Sequence, residues 1–317
     1  MTEERPSSLT TAAAHEHPPD ESDPQSKRYS HIEINGTNLA YEDIGTGEPM
    51  VLSHGAIGDL RSFDSLIPKL AQNFRIISYS RRYAWPNSPI PDGADDPFNV
   101  HADDLRALIE KLDIAPAHVL GSSAGAFIAL LLARNKPEMF RSLILEEPPV
   151  VSLFLPNTPP TIGQVLWLLW SKPWDFLPIV RFGANVIGPV TKMFKNGDDE
   201  LALQTFVKGT FGEEASEKLS AQRWEQMRTN LKPLAALLTG STGLPKFLEE
   251  DARAVGVERV LLITGENTCA AHKSINRRLK ELIPGARETA IQGASHLMHE
   301  DDAERVSEVV LGFIAQR

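Results

Sequence analysis

The chain has 317 residues, of which 42% are hydrophobic and 23% are charged. This length and composition are typical of one large globular domain, alone or with an inserted subdomain. The formal net charge of −10 disfavours nucleic acid and anionic membrane surfaces as partners. The single cysteine, Cys269, excludes an internal disulfide and a cysteine metal site. We therefore expect a small neutral or apolar molecule as the partner.

The beginning of the chain predicts neither export nor membrane insertion. Acidic residues follow Met1 closely and no apolar run is present, which disfavours a secretory signal and an organelle transit peptide. No apolar stretch reaches the roughly 18 to 20 residues that span a bilayer. Residues 1–29 are rich in proline and polar side chains and predict a disordered N-terminal arm. These features favour a cytoplasmic protein with no membrane contact.

The order of predicted elements indicates an α/β fold. A strand at Ser30–Ile34, an Asn35-Gly36 turn and a strand through Leu39–Tyr41 form a hairpin. Strands and helices then alternate, which predicts a mainly parallel sheet with helices on both faces. The strands expected in this part are Pro49–Ser53, Phe74–Tyr79, His118–Gly121 and Arg141–Glu146, with helices near Phe63–Gln72, over Asn99–Leu112 and up to Lys136.

The alternation stops after about residue 149 and resumes near residue 248. We therefore divide the chain into a first core part at 30–149, a helical cap at 150–247 and a second core part at 248–317. Four of the five tryptophans fall in the predicted cap. The second core part predicts strands at Arg259–Thr264 and Glu288–Ile291 and helices near Lys273–Leu282 and over Ala303–Ile314.

The sequence Gly121-Ser122-Ser123-Ala124-Gly125 lies between a predicted strand and an apolar helix. A Gly-x-Ser-x-Gly sequence in this context predicts a nucleophile elbow, a tight turn that exposes the serine hydroxyl above a helix N-terminus. The small flanking residues allow the strained backbone that such a turn requires. Ser123 is therefore the candidate nucleophile.

On the basis of these residues the chain resembles the α/β-hydrolase superfamily, and the resemblance covers about residues 30–317. His54-Gly55-Ala56 closes the third strand where that family places an oxyanion loop, so the resemblance implies an oxyanion hole formed by the backbone N–H groups of Ala56 and Ala124. The family takes its histidine from the loop after the last strand, which here is His296. Its neighbour His299 is expected near the surface.

The acidic partner of the histidine is less clear. The family commonly places an aspartate after the penultimate strand, where this chain has Glu266 and no aspartate. Two consecutive glutamates, Glu146 and Glu147, end the strand that follows the elbow helix, and only one of them can face the site because successive side chains of a strand alternate. We favour Glu147, which Pro148 is expected to hold in extended geometry. Fungal zearalenone lactonases are similar in their elbow and in a glutamate at this strand end.

Several side chains are candidates for binding the substrate. Arg82 and Trp85 follow the fourth strand, where an arginine can hold a carboxylate and a tryptophan can form a pocket wall. Pairing of the arginine with a protein carboxylate and packing of Trp85 under the loop are the alternatives. Trp170 and Trp174 of the cap suggest an apolar roof, and Gly55 lies in the oxyanion loop.

These residues predict a serine hydrolase that cleaves an ester or lactone of a hydrophobic small molecule through an acyl-enzyme intermediate. Neither a metal nor an organic cofactor is expected, since the reaction requires only a nucleophile, a base and oxyanion donors. A carbon–carbon bond hydrolase or a lyase or cyclase on the same scaffold is one alternative, and a non-catalytic ligand-binding protein is another. The oligomeric state is left open.

Overall fold

One mixed sheet organises the fold. The computed structural model describes residues 29–157 and 159–316, so the arm predicted at 1–29 lies, except for Tyr29, outside the described residues. Within these ranges eight strands form a single sheet in the order β1-β2-β4-β3-β5-β6-β7-β8. The strands are β1 Ser30–Ile34, β2 Thr37–Ile44, β3 Glu48–Ser53, β4 Phe74–Tyr79, β5 Ala117–Ser122, β6 Phe140–Glu146, β7 Val260–Gly265 and β8 Arg287–Ile291.

The strand directions confirm the predicted α/β architecture. β1 and β2 are antiparallel, and β2 is antiparallel to β4. All further pairs, from β4 with β3 to β7 with β8, are parallel. The Asn35-Gly36 turn has positive φ at both residues, 47° and 74°, as expected for a two-residue hairpin. The carboxyl ends of β3, β5, β6 and β7 therefore share one edge of the sheet.

Helices cover both faces of the sheet. Those of the core are α1 Ile67–Leu70, α2 Phe98–Lys111, α3 Ala124–Asn135, α11 Glu249–Arg253, α12 Ala270–Leu282, α13 Met298–Asp301 and α14 Ala303–Ala315. Successive residues of β5 enter different apolar clusters: Val119 packs with α2, α3 and α12, whereas Leu120 packs with α1 and α14. This alternation explains why β5 is buried along its whole length.

One predicted helix was wrong in extent. In place of a helix over Phe63–Gln72, a 3-10 turn covers Leu60–Phe63 and α1 covers only Ile67–Leu70. Pro68 lies at the start of α1, because proline is tolerated in the first turn of a helix but not in its interior.

A helical segment lies between β6 and β7, in the region predicted as the cap, and we keep that name for it. It contains α4 Ile162–Ser171, α5 Pro173–Phe182, a π-helical turn Gly183–Ile187, α6 Gly188–Asn196, α7 Asp199–Phe211, α8 Glu213–Lys218, α9 Ala221–Thr229 and α10 Leu231–Thr239. Buried Leu168, Ile179, Val190 and Leu203 join the apolar cluster that also contains α2 and α3. Among the described residues, no helix combines the length and the apolar character that a membrane span requires.

Candidate active site

The turn after β5 places Ser123 in a strained and accessible position. Its backbone has φ 50° and ψ −114°, its N–H donates to the Glu146 carbonyl at 2.7 Å, and α3 begins at the next residue. A Cβ on Gly125 would overlap the backbone carbonyl of Ser53, so only glycine allows α3 to approach the end of β3 this closely. Ser123 is half-buried, whereas Ser122 is buried. This is the geometry of a nucleophile elbow.

The loop after β3 lies against this turn. A Cβ on Gly55 would be 3.6 Å from the Cβ of Ser123. Within the described ranges, the N–H groups of Ala56 and Ala124 donate no hydrogen bond. Ala124 is the first residue of α3, where the N–H groups have no partner inside the helix. Two free donors are thus available near Ser123.

Buried polar groups hold the oxyanion loop in place. The His54 Nδ1 atom donates to the Gly55 carbonyl at 2.8 Å, and its Nε2 atom accepts from the Arg81 N–H at 2.9 Å. The Arg81 guanidinium donates to the carbonyls of His54 and Gly55 at 3.2 and 3.0 Å. Burial and the Arg81 charge lower the pKa of His54 well below its ordinary value, so its ring is neutral. His54 therefore has a structural role, in which it holds the loop after β3.

Glu147 lies beside His296. The Glu147 Oε2 atom is 2.5 Å from the His296 Nδ1 atom, and both side chains are buried. Oε2 also accepts from the Thr268 hydroxyl at 2.8 Å, and Oε1 accepts from the Gly265 N–H at 2.8 Å. Burial raises the pKa of Glu147, but hydrogen bonds from His272 and His296 outweigh it and lower the pKa to about 2. Glu147 is therefore a carboxylate at neutral pH.

The backbone of Glu147 differs from the expected extended geometry. Its φ is 47°, in the left-handed region that residues other than glycine rarely adopt. The expectation that Pro148 holds an extended backbone here was wrong. Three hydrogen bonds of the carboxylate, from His296, Thr268 and Gly265, and its ion pair with His272 stabilise this strained conformation.

The other two candidate acids lie elsewhere. Glu146 faces the opposite side of the sheet, where its Oε2 atom is 2.6 Å from the His299 Nδ1 atom. His299 is 2% exposed, so the expectation of a surface position was wrong. Its burial follows from the Glu146 carboxylate and from the Phe63 ring 5.0 Å away. Glu266 is exposed and accepts from the Gly293 N–H at 2.8 Å, which stabilises the loop that carries His296.

Two further rings contact His296. The His272 ring is 4.3 Å from it with an interplanar angle of 28°, and the Phe211 ring is 5.6 Å away with an angle of 20°. Phe211 ends α7 and brings the cap helices to the site. No sequence pattern indicated Phe211, and His272 matches no motif. Its place in the first turn of α12, just after Thr268, was the available signal.

The Glu147, His272 and His296 ligand atoms lie within 4.8 Å of one another, a spacing that a metal ion could bridge. Both histidines direct their Nδ1 atoms to the same Glu147 oxygen, at 2.5 and 3.2 Å. Hydrogen bonding thus accounts for the arrangement of the three groups, and we interpret them as a hydrogen-bonded cluster.

Arg82 does not have its guanidinium free for a substrate. Its Nε and Nη2 atoms both donate to the buried Asp104 carboxylate at 2.8 Å, and Nη2 also donates to the Asn35 carbonyl. The proposed carboxylate-binding role was therefore wrong. A buried aspartate requires a paired charge, and Arg82 supplies it while joining α2 to the first hairpin.

Trp85 packs under its loop. The Arg61 guanidinium lies 3.8 Å from the centre of its ring, and the Tyr29 ring contacts it edge-on at 5.7 Å. The backbone N–H of Trp85 donates to the side-chain oxygen of Asn230 at 2.8 Å, so the loop is attached to the cap. These contacts match the packing alternative and leave no indication of a pocket wall.

Trp170 and Trp174 lie on the outside of the cap. Their side chains are 83% and 88% exposed, while Leu168 and Ile179 of the same helices are buried. Trp174 borders an open cleft of about 630 Å³ lined mainly by charged residues, among them Lys172 and Arg277, and no residue of the Glu147 cluster lines it. In this structure the two tryptophans form no roof over Ser123, because the inward faces of α4 and α5 carry other side chains.

The comparisons with known proteins agree with the observed fold. A family model described as the alpha/beta hydrolase fold matches residues 48–303. The structure resembles an enol-lactonase from Burkholderia xenovorans LB400 (TM-score 0.68, 18% identity, 90% of this chain and 100% of that one). It also resembles a thermophilic esterase from Thermogutta terrifontis (TM-score 0.68, 20% identity, 90% and 97%). The protein therefore belongs to the α/β-hydrolase fold family.

Sequence relatives match over a shorter range. An uncharacterized hydrolase of Bacillus subtilis (strain 168) is 31% identical over 126 residues, 40% of this chain and 46% of that protein. The chain spans less than half the length of the curated relatives it matches. These matches do not extend to the specific resemblance to zearalenone lactonases, which stays a prediction.

Proposed function

We propose that this protein is a serine hydrolase that cleaves carboxylic esters or lactones of small apolar molecules, with Ser123 as nucleophile, His296 as base and Glu147 as the acid that orients His296. The contact of 2.5 Å between Glu147 Oε2 and His296 Nδ1 carries the proposal. It fixes the Nδ1–H tautomer and leaves Nε2 with its lone pair to accept a proton. The enol-lactonase and esterase folds are consistent with this chemistry.

The reaction follows from the positions of these groups. The Ser123 oxygen attacks the carbonyl carbon while its proton passes to His296 Nε2, which carries no other hydrogen bond within the described residues. The N–H groups of Ala56 and Ala124 then donate to the negatively charged oxygen of the tetrahedral intermediate. His296 returns the proton to the leaving alkoxide, and water hydrolyses the acyl-serine by the same steps in the second half-reaction.

One requirement of this mechanism is an approach of the two reacting side chains. Ser123 and His296 share no hydrogen bond in the described structure, so the hydroxyl must reach Nε2 when the substrate binds. Such contacts are often long in free enzymes and tighten in the substrate complex. The half-buried Ser123 side chain has the freedom to turn, whereas His296 is fixed by Glu147.

Contacts of the cap support an apolar substrate. Phe211 stacks on His296 from α7, with the two ring centres 5.6 Å apart. Apolar groups beside the base exclude water and strengthen the electrostatic interactions of the site.

The test is hydrolysis of p-nitrophenyl acetate, butyrate and hexanoate together with an aryl lactone. We expect turnover by the unmodified protein and its loss in Ser123→Ala, whereas Ser122→Ala, a change of the neighbouring buried serine, keeps it. A fluorophosphonate probe should label a peptide that contains Ser123, as identified by mass spectrometry. Full hydrolytic activity in Ser123→Ala would refute the proposal.

A further inference from the structure

A second imidazole competes for the carboxylate of the proposed site. Glu147 Oε2 lies 2.5 Å from Nδ1 of His296 and 3.2 Å from Nδ1 of His272. The two rings stack with their centres 4.3 Å apart. Glu147 is 0% exposed and both histidines are 2% exposed, so water does not screen the three groups from one another.

The mechanism above makes no use of His272. It lies in the first turn of α12, whose preceding residue is Cys269. The titratable groups that face its ring are Glu147, His296 and the Cys269 thiol, and the Phe182 ring of α5 packs 5.5 Å away. A buried histidine so close to a carboxylate and to the base is in a position to change the charge of the site.

We propose that His272 is a positioning residue that carries a positive charge against Glu147 and beside His296, and thereby keeps His296 the uncharged partner of the shared carboxylate. The inference rests on the proposed function, because it assigns His296 the role of base. His272 itself touches neither the substrate nor Ser123 in this account. It acts only through Glu147 and through the stacked ring.

The balance of charges supports this assignment. Burial opposes protonation of His272, but the negative charges of Cys269, as a thiolate, and of the Glu147 carboxylate outweigh it and raise its pKa to about 10. Burial, and next the His272 charge, lower the pKa of His296. Two stacked imidazolium rings would repel each other strongly, so one cation and one neutral ring are the stable combination around a single carboxylate.

Two substitutions separate charge from packing. His272→Asn keeps a hydrogen-bond donor for Glu147 but removes the charge, and His272→Phe keeps a stacked ring but removes both the donor and the charge. Without the cation, His296 holds its proton to higher pH. We therefore expect the acid limb of the pH profile of kcat/KM to move upward by about one pH unit in both variants.

The matched control is His118→Asn. His118 is also a buried histidine beside a glutamate, Glu48 at 3.2 Å, but it lies near the opposite end of β5 from the Ser123 turn. Its substitution should leave the acid limb unchanged. If the acid limb of the kcat/KM profile stays at the same pH in His272→Asn, His272 has a purely structural role and the inference is overturned, whether or not the maximum value of kcat/KM is lower.

A second measurement separates this inference from the proposed function. NMR titration of the His296 ring resonances reports its pKa without any turnover, in the unmodified protein and in His272→Asn. If no ester or lactone is hydrolysed but the His296 pKa rises in the variant, the proposed function fails and the charge relation between the rings stands. If esters are hydrolysed and the His296 pKa is equal in both proteins, only the inference on His272 fails.

Discussion

Replacing Glu147 by glutamine tests the centre of the proposed site with almost no change in shape. The carboxylate accepts three hydrogen bonds, at Oε2 from His296 and Thr268 and at Oε1 from the Gly265 N–H, and Oε2 also forms an ion pair with His272 at 3.2 Å. Glutamine has one acceptor oxygen and one NH₂ group, so a donor must face another donor whichever way the amide turns. One unpaired buried donor costs about 1 to 3 kcal/mol, and the two contacts with histidine lose their charge-assisted strength.

The rate should fall much more than the stability. Without the carboxylate, the His296 ring loses the group that fixes its tautomer and stabilises its imidazolium form. The corresponding loss in serine hydrolases that use such a triad is about 10⁴-fold in kcat, or about 5.5 kcal/mol of transition-state stabilisation. We expect a loss of this order in Glu147→Gln, with an unfolding free energy lower by about 3 kcal/mol.

The assay is ester hydrolysis together with urea unfolding, and the chain offers two matched controls. Glu146→Gln changes the adjacent glutamate, which faces His299 on the other side of the sheet, and should affect stability more than kcat. Glu266→Gln changes the exposed glutamate of the next loop and should leave kcat within about twofold. If Glu147→Gln keeps more than a tenth of the activity, or Glu266→Gln loses it, our assignment of the acid is incorrect.

Three further substitutions test the surroundings of the site. His299→Gln leaves the buried Glu146 carboxylate without its cation and should lower the unfolding free energy by about 3 to 5 kcal/mol. Because the pKa of His299 is raised from 6.5 to about 10, this stabilisation is fully present below pH 6.5 and is lost as the pH rises through 10, and urea unfolding at several pH values measures it. Arg82→Ala should destabilise the protein by about 3 kcal/mol through Asp104, with an unchanged KM for neutral and anionic esters; a KM that rises only for anionic esters would restore its substrate-binding role. Gly265→Ala places a methyl group against the Ser295 carbonyl, so kcat should fall at least tenfold, and unchanged kinetics would mean that the base loop is not fixed there.

The part of the site closest to the chemistry could be predicted because local patterns determine it. A Gly-x-Ser-x-Gly sequence between a strand and a helix folds into an elbow by local sterics, and Ser123 has the strained φ of 50° that this implies. The side-chain alternation of a strand predicts that Glu146 and Glu147 face opposite sides, as they do. Alternation does not predict which residue departs from strand geometry. The positive φ of Glu147 could not be predicted because it depends on the four groups that bind its carboxylate.

Contacts between distant parts of the chain were the ones that sequence patterns missed. Arg82, in the loop after β4, and Asp104, on α2, are 22 positions apart, and only the packing of α2 beside that loop brings them together. Helix α4 carries no charged residue, and its segment from Val165 to Trp170 is apolar throughout, so no periodicity indicates that Leu168 faces inward and Trp170 faces outward. The way the cap packs on the core determines which side chains of α4 face inward, and the residue pattern of α4 alone does not determine that packing.

The two glutamates at the end of β6 explain how one strand end serves both stability and the proposed chemistry. Ser123 donates its N–H to the carbonyl of Glu146, so the elbow is attached to the peptide group that joins the two glutamates. On one side of the sheet Glu147 binds His296 and His272, and on the other side Glu146 binds His299. His299 also lies 3.6 Å from Glu300, and Glu300 forms an ion pair with Arg223 of α9, so this pair is connected with the cap. Each histidine reduces the cost of burying its glutamate. A pair of adjacent buried carboxylates is therefore tolerated at this position only because the segment after β8 supplies an imidazole to each face, His296 from the loop and His299 from α13.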